Sequence, residues 1–181
     1  YIDEGSHLDN EAFDRGTSDY FSQRVIPMLP EELSNDLCSL KPDEDRFCVV
    51  CKTTVCADGN LSDTSFFEAI INSKSRLTYP TVTREIQKKQ FKRPYADSLR
   101  VLLEIYRRLK KNRVERGSLE LEVPSYIPKV ENQKIVRFID SPREISHMMI
   151  EEFMLAANIS AAELCLKHKI PSVYRVHPKP D

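Results

Sequence analysis

Between Pro142 and Lys167 the sequence reads as a helix with almost no polar side, and no other segment restricts the fold so tightly. Met148, Met149, Ile150, Phe153, Met154, Leu155, Ala156, Ala157, Ile159, Ala161 and Ala162 place apolar groups all around its axis. A helix of this kind is ordinarily buried, so other elements should enclose it. Its Pro start and its basic end at Lys167, His168 and Lys169 fit the asymmetry of helix termini. Glu151, Glu152 and Asn158 interrupt the pattern, with Glu151 and Asn158 two turns apart on one side. A buried carboxylate requires a partner or a raised pKa. Two readings stand: one glutamate pairs with a structural arginine while the other reaches solvent, or Glu151 projects into a polar, ligand-binding cavity.

The rest of the chain mixes strands and helices. A short helix follows Ser6, anchored by Leu8, Ala12 and Phe13. Pro27 and Pro30 keep Arg24 to Pro30 from forming a long regular element, and a brief helix then runs from Pro30 to Leu37. Phe47 to Val55 and Leu61 to Ile71 flank Ala57-Asp58-Gly59-Asn60, which signals a hairpin. Helices are expected over Tyr79 to Lys89 and over Tyr95 to Arg113. In the latter, Leu99, Leu102, Leu103, Tyr106 and Leu109 recur at helical spacing, and Gly117 closes it. Leu119 to Val123, Lys134 to Ile139 and Val173 to Val176 read as strands. Without a βαβ rhythm, the class is α+β, antiparallel strands packed with two long helices.

Composition narrows the chemistry. Across 181 residues, 27 Lys and Arg meet 28 Asp and Glu, giving a formal net charge of −1, which argues against a strongly basic nucleic-acid binder. With 30% charged and 40% hydrophobic residues the chain is a globular segment. No apolar run reaches the ~20 residues of a membrane helix. No signal peptide is evident, and the missing initiator Met suggests a piece cut from a longer protein. The odd number of cysteines implies reduced thiols and a cytoplasmic location. Cys48-x-x-Cys51 with Cys56 invites a zinc site, but strand geometry separates the first two and no further ligand pair lies near. The histidines His7, His147, His168 and His177 are isolated, and no phosphate loop or triad signature occurs. The basic run through Lys88, Lys89, Lys92 and Arg93 to Arg113 reads as a solvated helix face, with a local RNA-binding patch as the alternative. Tyr20, in the Gly- and Ser-containing loop Arg15-Gly-Thr-Ser-Asp-Tyr20, either stacks on a ligand or covers the edge of a core.

Several runs together resemble the catalytic domain of the ribonuclease II / ribonuclease R family, and in particular its bacterial ribonuclease R branch. They are Arg15-Gly-Thr-Ser-Asp-Tyr20, Arg24-Val-Ile-Pro-Met-Leu-Pro-Glu-Glu-Leu-Ser34, Asp36-Leu-Cys-Ser-Leu40 and Arg76-Leu-Thr-Tyr79. Arg116-Gly-Ser118, Ile150-Glu-Glu-Phe-Met-Leu-Ala-Ala-Asn158 and Tyr174-Arg-Val-His177 follow in the family's order. The resemblance implies a hydrolytic, processive 3′-to-5′ exoribonuclease that releases nucleoside 5′-monophosphates with Mg²⁺. It implies RNA with a single-stranded 3′ end as partner, a monomer, and no membrane. By the same resemblance Tyr20 lies near the 3′-terminal nucleotide with Thr17 beside it, and Glu151 helps to hold that end with Asn158. Leu121 stands where relatives place an aromatic against the terminal base. The family's Asp-x-Asp-Asp metal cluster and a downstream arginine motif do not occur in the sequence, nor do the flanking RNA-binding modules. The expectation is therefore a central channel-wall segment, inactive alone, that binds no metal. The alternative is a non-catalytic RNA-binding or interaction module.

Overall fold

A computed structural model describes residues 1–21, 23–118, 125–132, 134–141, 143–174 and 176. The chain forms two compact units. The first comprises Tyr1–Cys48, Glu68–Thr78 and Glu120–Arg143, and the second Val49–Phe67, Tyr79–Leu119 and Glu144–Asp181. Helices and two-stranded antiparallel pairs together give the expected α+β class, and each strand pairs with its sequence neighbour.

In the first unit, helix α1 (His7–Arg15) begins at Ser6, whose hydroxyl accepts from the Asp9 amide at 3.2 Å. Gly16, at φ +65°, ends it in the left-handed conformation. Strands β1 (Asp19–Tyr20) and β2 (Val25–Ile26) follow, pairing Asp19 with Ile26 and Tyr20 with Val25. The helix expected up to Leu37 is a π-helical turn, Glu32–Leu37, in which the Cys38 amide reaches back five residues to the Leu33 carbonyl at 2.9 Å. Arg46 staples the loop beyond it, donating to the Ser39 carbonyl at 3.2 Å and Asp36 Oδ1 at 3.1 Å, and pairing with Glu44. Lys41 first, then Arg46, lowers the Asp36 carboxyl below its ordinary pKa.

Strands β3 (Asp45–Val55) and β4 (Leu61–Asn72) form the expected hairpin. Asn72 Nδ2 donates to Asp45 Oδ1 at 2.8 Å near its open end. Strands β5 (Tyr126–Glu131) and β6 (Lys134–Asp140) pair from Tyr126 opposite Asp140 to Glu131 opposite Lys134, with a bulge at Lys129/Val130. Sequence patterning anticipates β6 but not β5, because Pro128 interrupts the latter. The strand expected over Leu119 to Val123 lies outside the described residues. The strand expected over Val173 to Val176 is not found among the described residues. Val173, Tyr174 and Val176 lie in neither helix nor strand, and Arg175 is outside the described residues.

The second unit packs α2 (Tyr79–Lys88), α3 (Ala96–Glu115) and α4 (Ile145–His168). Val82, Leu99, Leu103, Tyr106 and Met149 form its core, joined by Ile86, Phe91, Tyr95, Leu102, Met148 and Phe153. Glu85, buried on α2, accepts from the Tyr95 hydroxyl and the Lys92 amide, each at 3.2 Å. Burial first, then this carboxylate, raises the Tyr95 pKa. Helix α4 departs from the fully enclosed helix expected. Ser146, Met149, Glu152, Ala156 and Ser160 face inward, while Met154 and Leu166 are 60% and 65% exposed. Polar groups thus occupy the buried stripe of an apolar helix.

The tip of the β3–β4 hairpin seats on α3. Asn112 Nδ2 donates to the Asp58 carbonyl at 3.2 Å and to Asn60 Oδ1 at 3.1 Å. Gly59, at φ +83°, lies so close that an added Cβ would stand 2.4 Å from the Arg108 carbonyl oxygen. Backbone angle and proximity both exclude a side chain there. Gly59→Ala should therefore lower stability by roughly 1–3 kcal/mol, read from the denaturant midpoint, and an unchanged midpoint would disprove the close seating.

Candidate functional site

Tyr20 is held out from its unit. It sits on β1 in a short hairpin and is 80% exposed, so among the described residues it covers no core edge. Its surroundings are nonetheless fixed. Ser18 Oγ accepts from the Met28 amide at 2.9 Å, and Arg15 donates to the Pro27 carbonyl at 3.2 Å and to Glu11 at 2.7 Å. Thr17 is exposed in the same loop, its hydroxyl donating to the Ser18 carbonyl at 3.4 Å. An exposed aromatic on a tethered turn offers a ring face at little conformational cost.

Glu151 and Asn158 lie in the second unit, on one side of α4 seven residues apart, with Glu151 half-buried and Asn158 exposed. The exposed Met154 and Leu155 share that side. Glu152, one residue on, points inward and is 4% exposed. Arg113 meets it, donating through Nε to Glu152 Oε1 at 2.8 Å and through Nη1 to Ser118 Oγ at 2.8 Å. The structural reading of the glutamate pair thus holds for Glu152. Arg113 departs from the solvated basic face expected, since its side chain is 16% exposed, whereas Lys88, Lys89, Lys92 and Arg93 are exposed.

The first turn of α4 is tied equally firmly. Ser146, 2% exposed, donates to the Tyr79 carbonyl at 3.0 Å and shares a 2.8 Å hydrogen bond with Thr83. Tyr79 stacks on His147 with ring centroids 4.0 Å apart. Further along α4 a concavity of about 360 Å³ opens beside Asn60, Asn112, Arg113, Arg116, Glu152 and Glu163. Arg113 could have been anticipated from sequence. It lies seven residues beyond Tyr106 and four beyond Leu109, in register with the buried stripe of α3. The Ser146–Thr83 pair leaves no such trace.

Leu121 lies outside the described residues. Among the described residues no three His, Cys, Asp or Glu side chains converge where a metal ion could sit, and all five cysteines are free thiols. The described residues thus assemble no set of ligands that fits a divalent cation.

The adjacent glutamates should separate on substitution. Glu152→Ala removes the carboxylate that Arg113 Nε holds across α3 and α4 and should cost about 3–5 kcal/mol in chemical denaturation. Glu151→Ala should cost less than about 1 kcal/mol, and the reverse order would contradict these assignments.

The sequence profile of the RNB domain matches residues 1–181. Ribonuclease R of Escherichia coli K12 is 45% identical over 186 aligned residues, which cover 99% of this chain and 23% of the relative. The apo form of Mycoplasma genitalium RNase R superposes with a TM-score of 0.93 at 30% identity, over 99% of this chain and 29% of that one. The same Mycoplasma genitalium enzyme in complex with ribose-methylated single-stranded RNA superposes equally, with a TM-score of 0.93 at 30% identity, again over 99% and 29%. The chain thus spans about a quarter of the length of the curated relatives it matches.

Proposed function

The chain belongs to the RNB domain family, and on that premise we propose that it is the part of a hydrolytic 3′-to-5′ exoribonuclease that receives the 3′ end of RNA. The parent releases nucleoside 5′-monophosphates processively, using Mg²⁺ held by residues other than those described. This segment lines the RNA path and positions the terminal nucleotide. The observation that carries the reading is the superposition of nearly the whole chain on a relative solved with single-stranded RNA.

The roles follow from chemistry. The exposed Tyr20 ring supplies a stacking surface for a base, an interaction tolerant of sequence as a processive enzyme requires. Glu151 can only accept hydrogen bonds when ionised, so it suits the hydroxyl groups of a terminal ribose and repels phosphate. Thr17 and Asn158 are the neutral polar groups beside each. None of these side chains moves a proton; each fixes where the scissile phosphate lies. Such placement carries weight, because a shift of ~1 Å can cost about 100-fold in rate. Placement by stacking and hydroxyl recognition also agrees with a net charge of only −1. RNA is partner and substrate, the protein acts as a cytoplasmic monomer, and no described helix is long and apolar enough to cross a membrane.

In the full-length protein, Tyr20→Ala and Glu151→Ala should each slow digestion of a single-stranded RNA about tenfold or more, or lengthen the end product. Melting temperatures should stay within a few degrees of wild type. Unchanged turnover and end products in both variants would refute the assignment. The 181-residue chain alone should release no mononucleotides with Mg²⁺ present, and Mg²⁺-dependent release abolished by Glu151→Ala would contradict this.

A further inference from the structure

Helix α4 is apolar on every side, so hydrophobic burial gives it no instruction about which side turns inward. A rotation about its axis exchanges one set of Met, Leu and Ala for another at little difference in buried area. Polar pairing does discriminate, because a misplaced Glu152 would be a buried charge without a partner. The inward stripe carries Ser146 and Glu152, both hydrogen-bonded, beside Met149, Ala156 and Ser160, with Met154 outside. Ser146 fixes the first turn through neutral hydrogen bonds to Tyr79 and Thr83. Two turns further on, the charged contact from Arg113 to Glu152 at 2.8 Å holds the helix where Glu151 leaves it.

We propose that Arg113 is a positioning residue: by gripping Glu152 it sets the rotation of α4 and so aims Glu151 and Asn158 at the 3′-terminal nucleotide. This rests on the role given to Glu151 above. The geometry suits arginine in particular. Nε serves Glu152 while Nη1 serves Ser118, just beyond the end of α3, so one planar group ties both helices at a fixed angle. A lysine ammonium would keep the charge but lose the fork. The leverage is large. A side-chain tip lies roughly 5 Å from a helix axis, so a rotation of about 20° moves it roughly 2 Å. That exceeds the ~1 Å displacement at which rates fall about 100-fold.

The test uses the full-length protein with R113K, the apolar pair R113M/E152M, E151A and the triple combination. Turnover on single-stranded RNA, end-product length and melting temperature are measured for each. R113M/E152M should melt close to wild type, since two apolar groups replace a buried ion pair, yet turn over at least about tenfold slower. R113K should be slowed likewise with little change in melting. The triple variant should match E151A within about twofold, because aiming a side chain that is absent has no effect. A slowing in the triple variant that multiplies the separate effects would show a merely structural role, and wild-type turnover in R113K would also overturn the inference, even if the apolar pair fails to fold. A silent E151A would remove the reading of Glu151 and this inference together, whereas a slow E151A with full-speed R113K would remove this inference alone.

Discussion

A buried ion pair organises the unit that carries Glu151. Arg113 and Glu152 meet at 2.8 Å between α3 and α4, with the carboxylate 4% exposed. Such a pair adds little net stability compared with apolar side chains of equal size, because desolvating two charges offsets most of their attraction. Its effect is selective. Either charge alone is costly to bury, so arrangements of α3 and α4 that separate them are excluded. The hairpin tip seated on Asn112, one residue before Arg113, and the Ser146–Thr83 contact complete the fixing of these helices.

The opposite logic holds around Tyr20. No core surrounds it. A two-residue hairpin held by Ser18, Arg15 and Pro27 presents the ring to solvent. Rigidity there comes from side-chain hydrogen bonds to the backbone, and exposure is what a stacking surface needs. Glu151 is placed by packing and charge, Tyr20 by a tethered turn.

These differences explain what could be read from the sequence. The hairpin around Asp58-Gly59-Asn60 was legible because its turn demands positive φ and few residues supply it. Helix α3 was legible because Leu99, Leu103, Tyr106 and Leu109 repeat at helical spacing. Strand β5 was hidden by Pro128, whose missing donor is tolerated at the margin of a two-stranded ribbon. The burial of α4 was misjudged because hydropathy sums over a side while pairing acts between individual atoms. Ser146 and Glu152 are inside with their partners, while Met154 is 60% exposed. Tyr20 and Glu151 were identified by family resemblance. Periodicity alone left each with two readings, and one of the two for Tyr20 fails on its 80% exposure.

The central claim is that this segment receives the 3′ end of RNA, and photocrosslinking tests it most directly. Full-length protein would be mixed, with EDTA present to preserve the substrate, with single-stranded RNA ending in 5-iodouridine, irradiated, and mapped by mass spectrometry. The principal adduct should fall on Tyr20. Adducts confined to the rest of the full-length protein, with none within this 181-residue chain, would contradict the claim.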